Sequence, residues 1–269
     1  MKIRLPCVAG QFYEGERRKL KEQVSSCLPK KNARRPAKGV MVPHAGLMYS
    51  GSVAGDVYAA LDWTRTVILL GPNHTGRGRP LSLSKADYWR TPLGDVAVDR
   101  ELGERLLHDI PELEADDEAH QSEHSLEVQL PFLQCLSDQT RIVPVCLGFS
   151  TDETYKRFGL HLADAVLAFR EEPVVIATSD MTHYEPHEQA MEKDRYVIDA
   201  ILAIDADELG RRVRGRRVSM CGVAPVMAML SYAKTIGLKK GELVQYQTSG
   251  DVSGDYSSVV GYAGVFFPS

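Results

Sequence analysis

Val67-Ile68-Leu69-Leu70-Gly71-Pro72-Asn73-His74-Thr75-Gly76 is a short apolar run that stops at a glycine and turns into a polar segment carrying a histidine. An uninterrupted apolar run bounded by Gly and Pro suits a β-strand covered on both faces. The same pattern recurs where Gly39-Val40-Met41-Val42 leads into Pro43-His44-Ala45-Gly46. It recurs again where Val174-Val175-Ile176-Ala177 leads into Thr178-Ser179-Asp180-Met181-Thr182-His183. In α/β sheets the polar turns beyond the strand ends carry the chemistry. The three turns are therefore expected to meet in space.

Working outward, strands alternate with helices. Helices are predicted over Glu14 to Cys27 and Ser52 to Leu61, and from an Asp99 N-cap through Leu107. Lys30 to Pro36 reads as a polar loop, and residues 81 to 98 as β structure broken at Thr91-Pro92-Leu93-Gly94. Asp116 to Gln121 reads as a second loop. Glu123 to Leu136 is helical in period but carries Pro131, which splits or kinks it. Arg141 to Gly148 is a further strand. Ser150-x-x-Glu153 has the spacing of a capping box opening a helix to Phe169. Glu188 to Ile204 is helical, Asp205-x-x-Glu208 caps another helix, and an Ala/Met-rich helix after Ser219-Met220-Cys221-Gly222 ends near Gly237. Strands Glu242 to Thr248 and Val259 to Phe267 close the chain. This alternation predicts an α/β fold, with one mixed, mostly parallel sheet and helices on both faces. No linker-like stretch divides the 269 residues, so a single domain over 1–269 is expected.

Composition removes several function classes. The net charge is -4 with acidic and basic residues intermixed, unlike the strongly basic footprint of a nucleic-acid binder. The basic run Arg211 to Arg217 reads as the solvated end of a helix. No apolar run reaches the length of a membrane span, and Met1 to Pro6 lacks the apolar core of a signal peptide. Cys7, Cys27, Cys135, Cys146 and Cys221 are scattered and odd in number, which argues against a disulfide framework and for a reducing cytoplasm. No glycine-rich nucleotide loop is present.

The residues able to carry chemistry are His44, His74, His124, Asp180, His183 and Cys221. His44 and His74 sit in Gly-bounded turns, where an imidazole either faces a cleft or bonds to backbone. Asp180 beside His183 suits acid–base work or support of a metal ligand, and equally a helix cap. His124, with Glu127 on the same helix face, adds another histidine; His120 is expected in the polar loop. Cys221 at a helix start is either a ligand or a small buried hydrophobe. Cys7, Cys27, Cys135 and Cys146 are assigned to packing. His187 is expected at a rim, and His108 and His161 outside the site. Two histidines plus an anionic ligand with open positions suit non-haem Fe(II), and two histidines plus cysteine also suit zinc.

The ordered series Val8-Ala9-Gly10-Gln11-Phe12-Tyr13, Val42-Pro43-His44-Ala45-Gly46, Gly71-Pro72-Asn73-His74, Thr91-Pro92-Leu93-Gly94, Glu123-His124-Ser125-Leu126-Glu127, Ser179-Asp180-Met181-Thr182-His183-Tyr184 and Cys221-Gly222 resembles the Memo family, also called AmmeMemoRadiSam system protein B. That family is similar in fold to class III extradiol ring-cleavage dioxygenases. The resemblance implies metal ligands at His44, His74 and Cys221, with Asp180, His183 and His124 as the remaining pocket residues. Cys221 stands where the dioxygenases have a carboxylate. The resemblance further implies a divalent transition metal (iron or copper ahead of zinc), a small-molecule substrate, and pathway association with radical-SAM and AMMECR-domain proteins. Three functions follow: a metal-dependent oxidoreductase, a non-catalytic metal-binding or interaction protein on the same fold, and a zinc hydrolase.

Overall fold

Alternate residues of each predicted strand enter different cores. Val40, Val42, Val67, Leu69, Ile142, Val174 and Ile176 point to one face of the sheet; Met41, Ile68, Leu70, Val143, Val145, Val175 and Ala177 point to the other. This period of two is what an apolar run must show if its sheet is covered on both sides.

The computed structural model describes residues 1–30, 33–137 and 139–269; Lys31 and Asn32 of the predicted polar loop lie outside the described residues. In chain order the strands are β1 (Ile3–Arg4), β2 (Ala37–Val42), β3 (Thr66–Pro72), β4 (Leu81–Leu83), β5 (Tyr88–Thr91), β6 (Gly94–Ala97), β7 (Glu114–Ala115), β8 (Arg141–Leu147), β9 (Val174–Thr178), β10 (His183–Glu185), β11 (Glu242–Thr248) and β12 (Val259–Pro268). The helices are α1 (Arg17–Cys27), α2 (Leu47–Ala60), α3 (Arg100–Asp109), α4 (Glu118–Gln121), α5 (Leu130–Leu136), α6 (Asp152–Leu167), α7 (His187–Leu202), α8 (Ala206–Arg216), α9 (Val223–Thr235) and α10 (Gly250–Ser253).

The main sheet runs β10-β12-β2-β9-β3-β8-β4-β7, with β11 also paired to β12. β2, β9, β3 and β8 are parallel to one another, while β12 and β4 flank them antiparallel. The mixed sheet is as expected, with a parallel centre and a further short parallel pairing of β4 with β7 at one edge. Helices α1, α2 and α5 cover one face, and α3, α6, α7, α8 and α9 the other. A small sheet β1-β5-β6 packs at the side of the first core. Burial of each large aliphatic side chain stabilises by about 1.5–3 kcal/mol, so these two cores dominate the fold's energetics.

Register sets the site. Val42 lies level with Thr178, and Leu70 with Ala177, so β2, β9 and β3 end together on adjacent tracks. The turns leaving them carry His44, Asp180 and His74 within a few residues of those ends.

Some local expectations change. The predicted loop at Asp116 to Gln121 contains α4, because the Asp116 carboxylate accepts from Glu118 N at 2.9 Å and His120 is fully buried there. His120 Nε2 donates to Ser82 O at 3.0 Å, leaving Nδ1 3.3 Å from Cys146 Sγ. The α6 cap is Thr151 instead of Ser150: its hydroxyl accepts from Thr154 N at 3.2 Å, while Ser150 N donates to the Tyr155 hydroxyl. Pro131 sits in the first turn of α5, after a 3₁₀ turn at Glu127–Gln129, where its missing N–H costs little. Cys135 is exposed and not a packing residue, whereas Cys146 is buried as expected. Arg211, Arg212, Arg214 and Arg216 form ion pairs at the end of α8, in keeping with a solvated helix terminus.

Candidate functional site

The six candidate residues line one cleft of about 530 Å³ above the ends of β2, β9 and β3. A second cleft, of about 580 Å³, lies along Lys2 to Cys7 and contains no histidine. Volume therefore does not pick out the site; the donor set does.

His44 is 1% exposed and fixed at both ends of its ring. Nδ1 is 2.9 Å from Thr178 Oγ1, and Nε2 is 3.1 Å from Cys221 Sγ. Its backbone N–H donates to Asp180 Oδ1 at 2.8 Å, so the turns after β2 and β9 brace each other. Burial, then the neighbouring His74, His124 and His183, hold His44 well below the usual imidazole range, leaving it neutral with a lone pair to offer.

His74 is held by a residue whose role the sequence did not disclose. Glu123 is fully buried and accepts from His74 N at 2.5 Å, His74 Nδ1 at 2.9 Å, His124 N at 2.9 Å and Ser125 N at 2.8 Å. Burial alone would raise this carboxyl, but the His74 bond and the backbone donors bring it down to about 2. A carboxylate only accepts, so His74 carries its proton on Nδ1 and presents Nε2 to the cleft. The signal available in sequence was Glu123 itself, adjacent to His124; its partner lies 49 residues away.

His124 stacks on His74 with ring centroids 4.5 Å apart, and burial lowers its proton affinity to about 4. It precedes the 3₁₀ turn, so the expected common face with Glu127 does not form. Glu127 faces away, toward Arg4 and Tyr13. Close approach of this segment needs Gly71: a Cβ there would strike Ser125 and Leu126.

Asp180 and His183 both reach the cleft, but His183 opens strand β10 and is not part of a helical turn. His183 Nδ1 donates to Ser219 O at 2.9 Å, which turns Nε2 toward the cleft. Burial raises the Asp180 carboxyl to about 6, against the pull of the His44 N–H. Cys221 accepts from Asp180 N at 3.3 Å and lies immediately before α9. Gly222 is required behind it, since a Cβ would run into the Thr178 carbonyl and Ser179. Burial and then the Asp180 charge push the Cys221 thiol far above its usual value, so a nearby cation is what would favour the thiolate.

Among the described residues three donor groups gather: His44, His74 and Cys221; His74, Glu123 and His124; and Asp180, His183 and Cys221, each with ligand atoms within 4.8 Å of one another. The first group fits a metal best. Both of its imidazoles are anchored through Nδ1, and the opposite nitrogen of each is turned to the cleft. His187 lies outside the cleft, beside Thr248 and Tyr256; His108 is exposed and His161 pairs with Glu112.

The profile of the Memo-like protein family matches residues 4–266. The chain belongs to the Memo family. A MEMO1 family protein of Methanosarcina barkeri is 45% identical over 265 residues, covering 98% of this chain and 99% of its own. A MEMO1 family protein of Aquifex aeolicus is 41% identical over 271 residues, covering 99% and 100%. The solved structure of an uncharacterised protein from Escherichia coli K12 matches with a TM-score of 0.57 at 12% identity, over 84% of this chain and 98% of that one, which extends the likeness in fold alone. Among the described residues of this Memo-family chain, no helix is long and apolar enough to cross a membrane.

Proposed function

We propose that this Memo-family chain binds a divalent transition metal, iron or copper ahead of zinc, through His44, His74 and Cys221, and acts as a metal-dependent oxidoreductase on a small molecule held in the cleft. The observation that carries this reading is the paired anchoring of His44 on Thr178 and His74 on Glu123, which fixes both rings before any ligand arrives. When bound, the metal supplies redox and Lewis-acid chemistry at the cleft floor. The chain's own residues hold substrate and manage protons. Asp180, buried beside His44 and Cys221, is placed to exchange a proton with the bound molecule, and His124 and His183 flank the same space as acceptors.

The test is metal content after anaerobic purification. The parent is expected to retain about one equivalent, while His44→Ala, His74→Ala and Cys221→Ala each lose it. Retention of the same metal in all three variants overturns the site. Oxygen uptake with a catechol, abolished in Asp180→Asn, tests the reaction class. The second reading, a non-catalytic metal-binding protein, is favoured by Cys221 standing where the resembling dioxygenases have a carboxylate; stoichiometric metal without oxygen uptake supports it. Ester hydrolysis by the zinc-loaded protein would instead support a hydrolase. Radical-SAM and AMMECR-domain proteins are proposed as pathway partners, and co-purification tests that.

A further inference from the structure

We propose that the outer part of the cleft is built to receive an amine cation, so that the small-molecule ligand carries an ammonium group at the end away from His44, His74 and Cys221. This deepens the preceding reading and shares its cleft, without depending on which metal is bound.

The lining is one-sided in charge. Among the described residues it includes Asp255 at the rim and Asp180 on the floor beside His44 and Cys221, but no lysine or arginine. A phosphate or carboxylate ligand is ordinarily met by guanidinium or ammonium donors, and none is offered. Instead the walls are aromatic: Phe12, Tyr49, Tyr184 and Tyr262. Aromatic faces beside a carboxylate attract ammonium groups and disfavour anions.

One of these rings is placed in a way that packing does not explain. Tyr184 is 78% exposed, yet its backbone is held at φ +59°, a left-handed region that a side-chain-bearing residue seldom adopts. The strained turn sets a large ring on the cleft rim, 5.9 Å from His183, where it contributes little to the core. Tyr262 is buried on β12, and its hydroxyl is pushed up by burial, with Asp180, Tyr49 and Tyr184 near enough to add to the effect. At the rim, Asp255 accepts from Ser257 N and Oγ, both at Oδ1, which fixes its direction and keeps it ionised.

The test uses three probes of one shape: tyramine (cation), 4-ethylphenol (neutral) and 4-hydroxyphenylacetate (anion). Each is titrated calorimetrically into the full-length protein, before and after chelator treatment. Tyramine is expected to bind about 10-fold tighter than 4-ethylphenol, and the anion more weakly than either. Asp255→Asn and Tyr184→Ala, both at exposed positions, are each expected to weaken tyramine several-fold more than they weaken 4-ethylphenol. Equal binding of the three, preference for the anion, unchanged selectivity in both variants, or no binding of any probe at on the order of 10 mM overturns the proposal. A tyramine preference in protein that binds no metal would defeat only the metal reading. Stoichiometric metal without the preference would defeat only this one.

Discussion

Glu123 and Glu127 lie four positions apart, and each is a fully buried carboxylate. Glu123 faces the cleft and fixes His74. Glu127 faces the other way and closes a knot with Arg4, the Tyr13 hydroxyl (2.6 Å), Cys7 N (2.8 Å) and Val8 N (3.1 Å). Arg4 also donates to the carbonyls of His120 and Glu123, and lies 4.4 Å over the Trp89 ring. One side of this segment thus orients His74, and the other pins the segment to the N-terminal strand. The difference teaches that a buried carboxylate's role is set by what its acceptor oxygens meet, not by its depth.

The strongest way to break this comparison is Arg4→Ala. It leaves Glu127 charged and uncompensated, and is expected to cost about 3–5 kcal/mol in urea unfolding, while the folded fraction keeps its metal. Loss of metal from folded protein would show that the two sides are not separable. Glu123→Gln should do the reverse, weakening metal affinity roughly 10- to 100-fold in chelator competition while far-UV circular dichroism stays unchanged.

Acid sharpens the contrast. Burial would raise Glu127, but Arg4, Tyr13 and the Cys7 N–H hold its carboxyl below the ordinary value of 4.5. A depressed folded value means that the pair's stabilisation is complete above about pH 4.5 and is lost as the pH falls through the folded value. Urea midpoints measured on chelated protein should therefore drop below that pH, with a shallower slope in Glu127→Gln. An identical slope in the variant would remove Glu127 from the acid response. The smallest expected effect is Tyr13→Phe, which deletes one donor to a carboxylate and should cost about 1.5 kcal/mol with metal content unaffected.

Much of the site was legible. The apolar runs ending at Val42, Gly71 and Ala177 announced buried strands, and their polar turns named His44, His74 and Asp180. Cys221 was visible as a residue at a helix start, and His124 and His183 as members of motifs. Other features were not legible, because they depend on neighbours distant in sequence. Glu123 reads as one acidic residue in a polar stretch until β3 brings His74 beside it. Arg4 and Glu127, 123 positions apart, show no sign of each other. His120 looks like a loop histidine until Ser82, Cys146 and Trp89 close around it. The misplaced cap at Ser150 is a smaller case: Ser150 and Thr151 both suit the position, and the Tyr155 hydroxyl takes the Ser150 N–H.

By itself the sequence determined the α/β alternation, the two-faced burial of the central strands and the residues at their ends, because period, glycine punctuation and capping act over a few residues. Tertiary structure alone decided that β9 lies between β2 and β3, and so that His44, Asp180 and His74 share one cleft. It also decided which way each carboxylate of the segment from Glu123 to Glu127 points. Strand order and the pairing of buried charges are settled by contacts between distant parts of the chain, which local propensity does not encode.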